Sequence, residues 1–252
     1  MRIKATVLGI LGLSSLLSSC MIFHSNVQTH EPYYTPSPKV KKVEKAIETP
    51  TIFEQNYKFK TDQNYIRSVT RIYYGQKTQM QTELGKYNIR KSFNVEQYRK
   101  FNKASFFPSN EYTIPNEIKP KAIALYKPLL DSMFAISNQT GKSHLEILVL
   151  GYTDEESIPY SNPIYNELLT KNKKESFVDL EYYNALSYER AKIVADLLSE
   201  MIKNELQKTK SPRSISFDLL IEGRGIEYPE SKRIYELEDD KRKITKVYWK
   251  LN

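Results

Sequence analysis

The run Leu145-Glu-Ile-Leu-Val-Leu150 constrains the fold more than any other stretch of this chain. Leu145, Ile147 and Val149 lie on one alternating set, and Leu148 and Leu150 on the other. A strand apolar on both sets belongs in the middle of a sheet, covered on at least one face. Gly151-Tyr-Thr-Asp154 then reads as a tight turn. Further on, Ala191, Val194, Leu198, Met201 and Ile202 recur at helical spacing and make a buried stripe. Ser187 is a good N-cap type for that helix. Lys208 and Lys210 fall near its end, where cations suit the helix dipole.

The neighbouring elements follow the same logic. Ser105-Phe-Phe107 is a short apolar piece able to start a sheet. Ile118-Lys-Pro120 opens a helix, because Pro is tolerated in a first turn. Ile123, Tyr126, Leu129, Leu130, Met133 and Phe134 form its apolar face, and Pro128 inside the run is expected to kink or split it. Ile215, Phe217, Leu219 and Ile221 alternate as a strand, and Gly223-Arg-Gly225 turns the chain. The last strand spans Ile244 to Leu251, with Val247, Trp249 and Leu251 on one face. The order over residues 104–252 is strand, helix, strand, helix, strand, strand. That order predicts an α/β sandwich of the α+β class, with helices on one face of a mixed sheet.

The N-terminal part is organised differently. Arg2 and Lys4, an apolar run from Ala5 to Leu17 and small residues before Cys20 make a secretory signal layout over residues 1–19. Leu17-Ser-Ser-Cys20 looks like a bacterial lipobox. A signal-anchor helix is the alternative, but the run is short and Ser-rich for a bilayer span. Cys20 is therefore expected to carry acyl chains, which hold a protein to a membrane through buried methylenes. Met21 in place of Asp points to the outer membrane. Pro32, Pro36, Pro38 and Pro50 make residues 20–50 an extended tether. Residues 51–103 read as a basic extension of unknown fold. Ile66, Val69, Ile72 and Tyr73 there have helical spacing, Gln79 to Leu84 extend it, and Tyr87, Ile89, Phe93, Val95 and Tyr98 allow a strand.

Charge separates these regions. The chain has 252 residues and a net charge of +8. Residues 39–103 hold 15 Lys+Arg against 6 Asp+Glu, and residues 104–252 hold 21 against 23. The positive charge sits in the tether and extension of an exported chain, which argues against nucleic acid as a partner. Basic character there fits an anionic lipid surface, an acidic polymer or simply a solvated face.

The segments GYTD, Gly151 to Asp154, and NALSYERA, Asn184 to Ala191, resemble the signature of the OmpA-like peptidoglycan-binding domain family. That family includes the C-terminal domain of OmpA, peptidoglycan-associated lipoproteins and MotB-type stator proteins. Ile118-Lys-Pro120, Gly223-Arg-Gly225 and Asp240-Lys-Arg242 are similar to further family motifs. The resemblance implies a β-α-β-α-β-β domain that grips the diaminopimelate of the peptidoglycan stem peptide. The residues it carries over are Asp154, Asn184, Leu186, Arg190 and Arg242. Chemically, Asp154 suits an ammonium and the forked Arg190 a carboxylate, beside the free N–H groups of a helix start. Taken singly, an Asp after Gly is commonly a turn residue and a helix Arg a solvated one.

Two departures stand out. Arg190 lies 36 residues after Asp154, so about residues 155–183 form an insertion at the mouth of the site. Lys241 replaces an Arg of the terminal pair, and Lys243 stands where an apolar residue is expected. The leading expectation is a non-catalytic outer-membrane lipoprotein tying the membrane to peptidoglycan, its domain facing the periplasm. The alternative is a structural subunit of an envelope-spanning secretion or motility complex. Its domain would dock on peptidoglycan or serve mainly for protein contact. His24 and His30 fall in the tether and His144 stands alone at a strand start. No catalytic motif, metal-ligand cluster or cofactor loop is legible.

Overall fold

The computed structural model describes residues 50–60, 66–76, 94–208, 215–230, 233–236 and 238–252. The signal layout, Cys20, the tether, Gln79 to Leu84, Tyr87 to Phe93 and Lys210 lie outside the described residues.

The described strands form one mixed sheet of seven. They are β1 (Thr51–Lys60), β2 (Ile66–Gly75), β3 (Arg99–Lys100), β4 (Ser105–Phe106), β5 (His144–Gly151), β6 (Ser216–Gly223) and β7 (Ile244–Leu251). Spatial order is β1-β2-β6-β5-β7-β3, with β4 also on β7. The β5–β6 pair is parallel, and the remaining pairs are antiparallel. The chain is thus an α+β fold, and β5 is central as its two-sided apolarity required.

Three helices accompany the described sheet: α1 (Lys119–Thr140), α2 (Pro163–Asn172) and α3 (Asp179–Lys208). Helices α1 and α3 cover one face. Tyr126, Leu130 and Met133 of α1 and Val194, Leu198 and Ile202 of α3 meet Leu145, Ile147, Val149, Phe217, Leu219, Ile221, Val247 and Trp249. Burying apolar area on this scale, at about 25 cal/mol per Å², drives the assembly. Pro128 does not split α1. It stands on the exposed side, where water can take the carbonyl freed one turn earlier.

Two local expectations are corrected. Ile66, Val69, Ile72 and Tyr73 are not helical; they lie in β2, which pairs with β6 from Val69 to Tyr74. Ser187 is not an N-cap. Helix α3 begins at Asp179, so Ser187 is internal to it. Its hydroxyl donates to the Asn184 carbonyl (3.0 Å) and accepts the Gly225 N–H (2.8 Å).

The sheet's second face mixes apolar and charged groups. Leu148, Leu150, Leu220, Ile244 and Tyr248 cluster with Tyr98 and Tyr152. Beside them Arg71 grips Asp218 through Nε (2.9 Å) and Nη2 (2.5 Å), both side chains only 2% exposed. His144 Nδ1 meets Ser216 Oγ at 2.8 Å and its Nε2 lies 3.4 Å from Asp218 Oδ2. This Ser, His and Asp set is a strand-bound network. Ser216 is buried and Arg71 already holds both oxygens of Asp218.

Candidate functional site

The site candidates gather where β5 ends. Gly151 lets α3 come down onto the strand: a Cβ there would lie 1.8 Å from the Ser187 carbonyl oxygen. Tyr152 N–H then donates to Ile244 O, and Thr153 N–H to Gly225 O, each at 2.9 Å. Gly225 has φ +53°, and a side chain on it would meet Asn184 Oδ1 at 2.5 Å. These ties aim Asp154, 2% exposed, inward beneath the insertion.

The insertion is itself a packed unit. Helix α2 and the first turns of α3 enclose Tyr165, Leu168, Phe177, Tyr182 and Leu186, together with Tyr112. Leu186 is 1% exposed within this cluster. It shapes the wall and presents no free surface to a ligand. Tyr183 donates to the Glu156 carbonyl at 2.8 Å, pinning the stretch after Asp154 to α3. Tyr182 Oη donates to Asn110 Oδ1 at 2.9 Å, joining the same helix to the segment before α1.

Arg190 is placed differently from the expectation. It is well inside α3, so the free N–H groups of a helix start are not beside it. Its guanidinium is fully buried. Nε donates to Glu111 O (2.8 Å), Nη2 to Pro108 O (2.8 Å) and Nη1 to Tyr152 O (3.1 Å). Burial lowers its pKa, to about 10, with the Asp154 carboxylate opposing; it stays charged at neutral pH. Three of its five N–H groups therefore serve backbone carbonyls of the chain. Arg242 is committed in the same way. Its Nη2 donates to Ile226 O (2.7 Å) and Glu155 Oε1 (3.1 Å), and its Nη1 to Glu236 O (3.3 Å).

Sequence reasoning flagged Lys243 as a departure and missed its role. Its ammonium donates to Ser109 Oγ at 2.7 Å and pairs with Asp240 Oδ1 at 2.6 Å. It lies 3.5 Å from Asp154 Oδ2 and 3.9 Å from Glu156 Oε2. Burial works against its charge, and the Asp240 hydrogen bond and surrounding carboxylates more than restore it, so its pKa is raised. Asp154 Oδ2, Glu156 Oε2 and Asn184 Oδ1 are buried without a hydrogen-bond partner. Glu156 was not singled out from the sequence, since adjacent Glu155 and Glu156 gave no sign of which one turns inward.

The arrangement is rich in unsatisfied acceptors and has its guanidinium groups engaged. It favours a donor cation, an ammonium above all. Arg190 is fully buried with three N–H groups on backbone carbonyls, so it presents no exposed edge to a ligand carboxylate. Among the described residues no group of three or more His, Cys, Asp or Glu is placed to hold a metal ion. No helix among them is long and apolar enough to cross a membrane.

Fold and site together define an α+β domain with a cluster of buried charged side chains at the end of its central strand. No protein-family model and no curated protein matches the chain. Solved structures similar to it include the periplasmic domain of Helicobacter pylori MotB. That match has 12% identity and a TM-score of 0.32, covering 77% of this chain and 88% of that one. Another structure of the periplasmic domain of MotB matches at 13% identity and a TM-score of 0.29, covering 88% of this chain and 90% of that one.

Proposed function

We propose that this chain is a non-catalytic structural subunit of a cell-envelope assembly, docked on peptidoglycan by the end of β5 and held to the outer membrane by acyl chains on Cys20. The observation that carries the docking is the surplus of buried acceptors, Asp154 Oδ2 and Glu156 Oε2 around one ammonium. A buried acceptor without a donor costs about 1–3 kcal/mol, so a ligand ammonium entering there gains by satisfying it. The side-chain amine of diaminopimelate in the stem peptide is such a group. The GYTD and NALSYERA resemblance supports the same ligand. The lipid attachment rests on Leu17-Ser-Ser-Cys20.

A second reading is that this end of the sheet serves mainly for contact with a protein of the assembly. The commitment of Arg190 to three backbone carbonyls favours it, because the carboxylate half of a zwitterion clamp is then closed.

Purified sacculi separate the two. Docking on peptidoglycan requires that wild type sediments with sacculi and that Asp154→Asn, which removes the charge with little change of shape, does so far less. Equal sedimentation of both would sink peptidoglycan docking through Asp154. Crosslinking in the native envelope would then identify the protein contact. Incorporation of a labelled fatty acid into wild type and not into a Cys20→Ser chain tests the anchor; equal labelling of both would sink it.

A further inference from the structure

A second polar feature lies at the corner where β4 and β7 meet. A cleft of about 150 Å³ opens between the segment from Lys100 to Phe106, the residues Glu230, Arg233 and Tyr235, and the start of β7. Lys100, Lys103, Arg233, Lys241 and Lys246 line it, against the single carboxylate of Glu230. Glu230 is already used: Lys100 and Lys246 each donate to its Oε1 at 3.0 Å. Lys246 also donates to Pro229 O at 2.8 Å, which fixes it as part of the wall. Lys103, Arg233 and Lys241 are exposed and have no carboxylate partner among the described residues. The cleft therefore carries uncompensated positive charge in a domain part whose net charge is otherwise slightly negative.

Two exposed apolar side chains stand in or next to this lining. Phe106 is 67% exposed and lines the cleft; Ile234, between the lining residues Arg233 and Tyr235, is 96% exposed. Tyr235 is braced by stacking on Tyr228 at 5.5 Å and by Arg233 over its ring at 5.3 Å. Cations set beside projecting Phe and Ile side chains match a surface that is anionic on top and apolar just beneath.

We propose that this cleft docks the phosphate headgroup of an anionic lipid, with Phe106 and Ile234 entering the headgroup–acyl boundary. A free phosphate would engage the lysines and leave the apolar rim without a role. An acidic glycan or peptide would meet the same objection at Ile234. The site shares no residue with the Asp154, Glu156 and Lys243 cluster at the end of β5, so either can stand without the other.

The test uses the mature chain from residue 20 with Cys20→Ser, so that neither the apolar signal run nor an acyl chain contributes. Sedimentation is measured with phosphatidylcholine vesicles containing or lacking phosphatidylglycerol. Two further chains add Lys103→Glu with Lys241→Glu, or Phe106→Ser with Ile234→Ser. All four positions are exposed, so circular dichroism and melting should match the parent. The basic tether is common to all three chains and cancels in the comparison. The expected result is preferential binding to phosphatidylglycerol vesicles, lowered about tenfold by either pair of substitutions. Unchanged vesicle affinity in both variants overturns the proposal. It is also overturned if only the lysine pair matters and inorganic phosphate competes fully, which would make the cleft a free-phosphate site. Loss of sacculus binding with vesicle binding intact would reassign it to an acidic polymer.

Discussion

The ammonium of Lys243 stands 3.5 Å from the carboxylate of Asp154, inside the protein. The chain thus supplies, from its own last strand region, the kind of charge that a ligand amine would bring. Lys243 also has Asp240 and Ser109 as partners nearer the surface, at 2.6 and 2.7 Å. It can be held there while Asp154 accepts a different donor.

Replacing Lys243 by Met should therefore act in two directions. The unliganded chain should lose on the order of 1–3 kcal/mol of stability, because the buried Asp154 carboxylate is left without a nearby donor. Affinity for a stem peptide bearing diaminopimelate should rise about tenfold, because the ligand ammonium no longer meets a like charge 3.5 Å from Asp154. Urea melts and a binding titration on the same preparation check both signs.

Arg190 is expected to behave as a structural residue. Arg190→Met orphans the carbonyls of Pro108, Glu111 and Tyr152 together. The loss should be on the order of 3 kcal/mol or more. Hydrogen exchange should accelerate in the 108–112 segment before the sheet opens. A full-stability Arg190→Met chain would show that these bonds are dispensable.

Arg71 and Asp218 tie β2 to β6 across the sheet's second face. Removing one partner of a buried pair leaves an uncompensated charge, so Asp218→Ala should cost about 3–5 kcal/mol. The double change Arg71→Met, Asp218→Leu should cost much less than Asp218→Ala alone. Equal loss in both would place the energy in packing and not in the pair. Thermal melts decide it.

Glu230 gives a pH dependence with a definite sign. The hydrogen bonds from Lys246 and Lys100 hold its carboxyl down at about 2, from an ordinary value of 4.5. Its contribution is complete above that ordinary value and is lost as pH falls through the folded one. The carboxylate is 46% exposed, so the effect is local to the loop and not a global unfolding step. A carbon-detected titration should find its midpoint near 2 in wild type and moved back toward 4.5 in Lys246→Met.

Much of the domain was legible because burial imposed a simple period. The strand Ile244–Leu251 was read to the residue, and β5 and β6 nearly so, since each alternates or is apolar throughout. β2 was misread for a specific reason. Ile66, Val69, Ile72 and Tyr73 fit a helical period, while the strand buries Val69, Arg71 and Tyr73. Arg71 can be buried only because Asp218 meets it, 147 residues later, and no local pattern reveals that. Ser187 failed as a cap because the aromatic residues ahead of it pack on α2, which lets α3 start at Asp179. In the site, Asp154, Asn184 and Arg190 were legible as residue types at one end of the sheet. Which of them remained available was not, because availability depends on Pro108, Glu111 and Lys243, none of which belongs to the motif.

The most direct test is a calorimetric titration of the wild-type chain with a diaminopimelate stem peptide, and with the same peptide acetylated on its side-chain amine. Acetylation removes the ammonium and leaves the carboxylate. If the buried acceptors of Asp154 and Glu156 recognise that ammonium, the free amine binds and acetylation weakens binding at least tenfold. Equal affinity for both peptides, or binding of neither, would contradict the account.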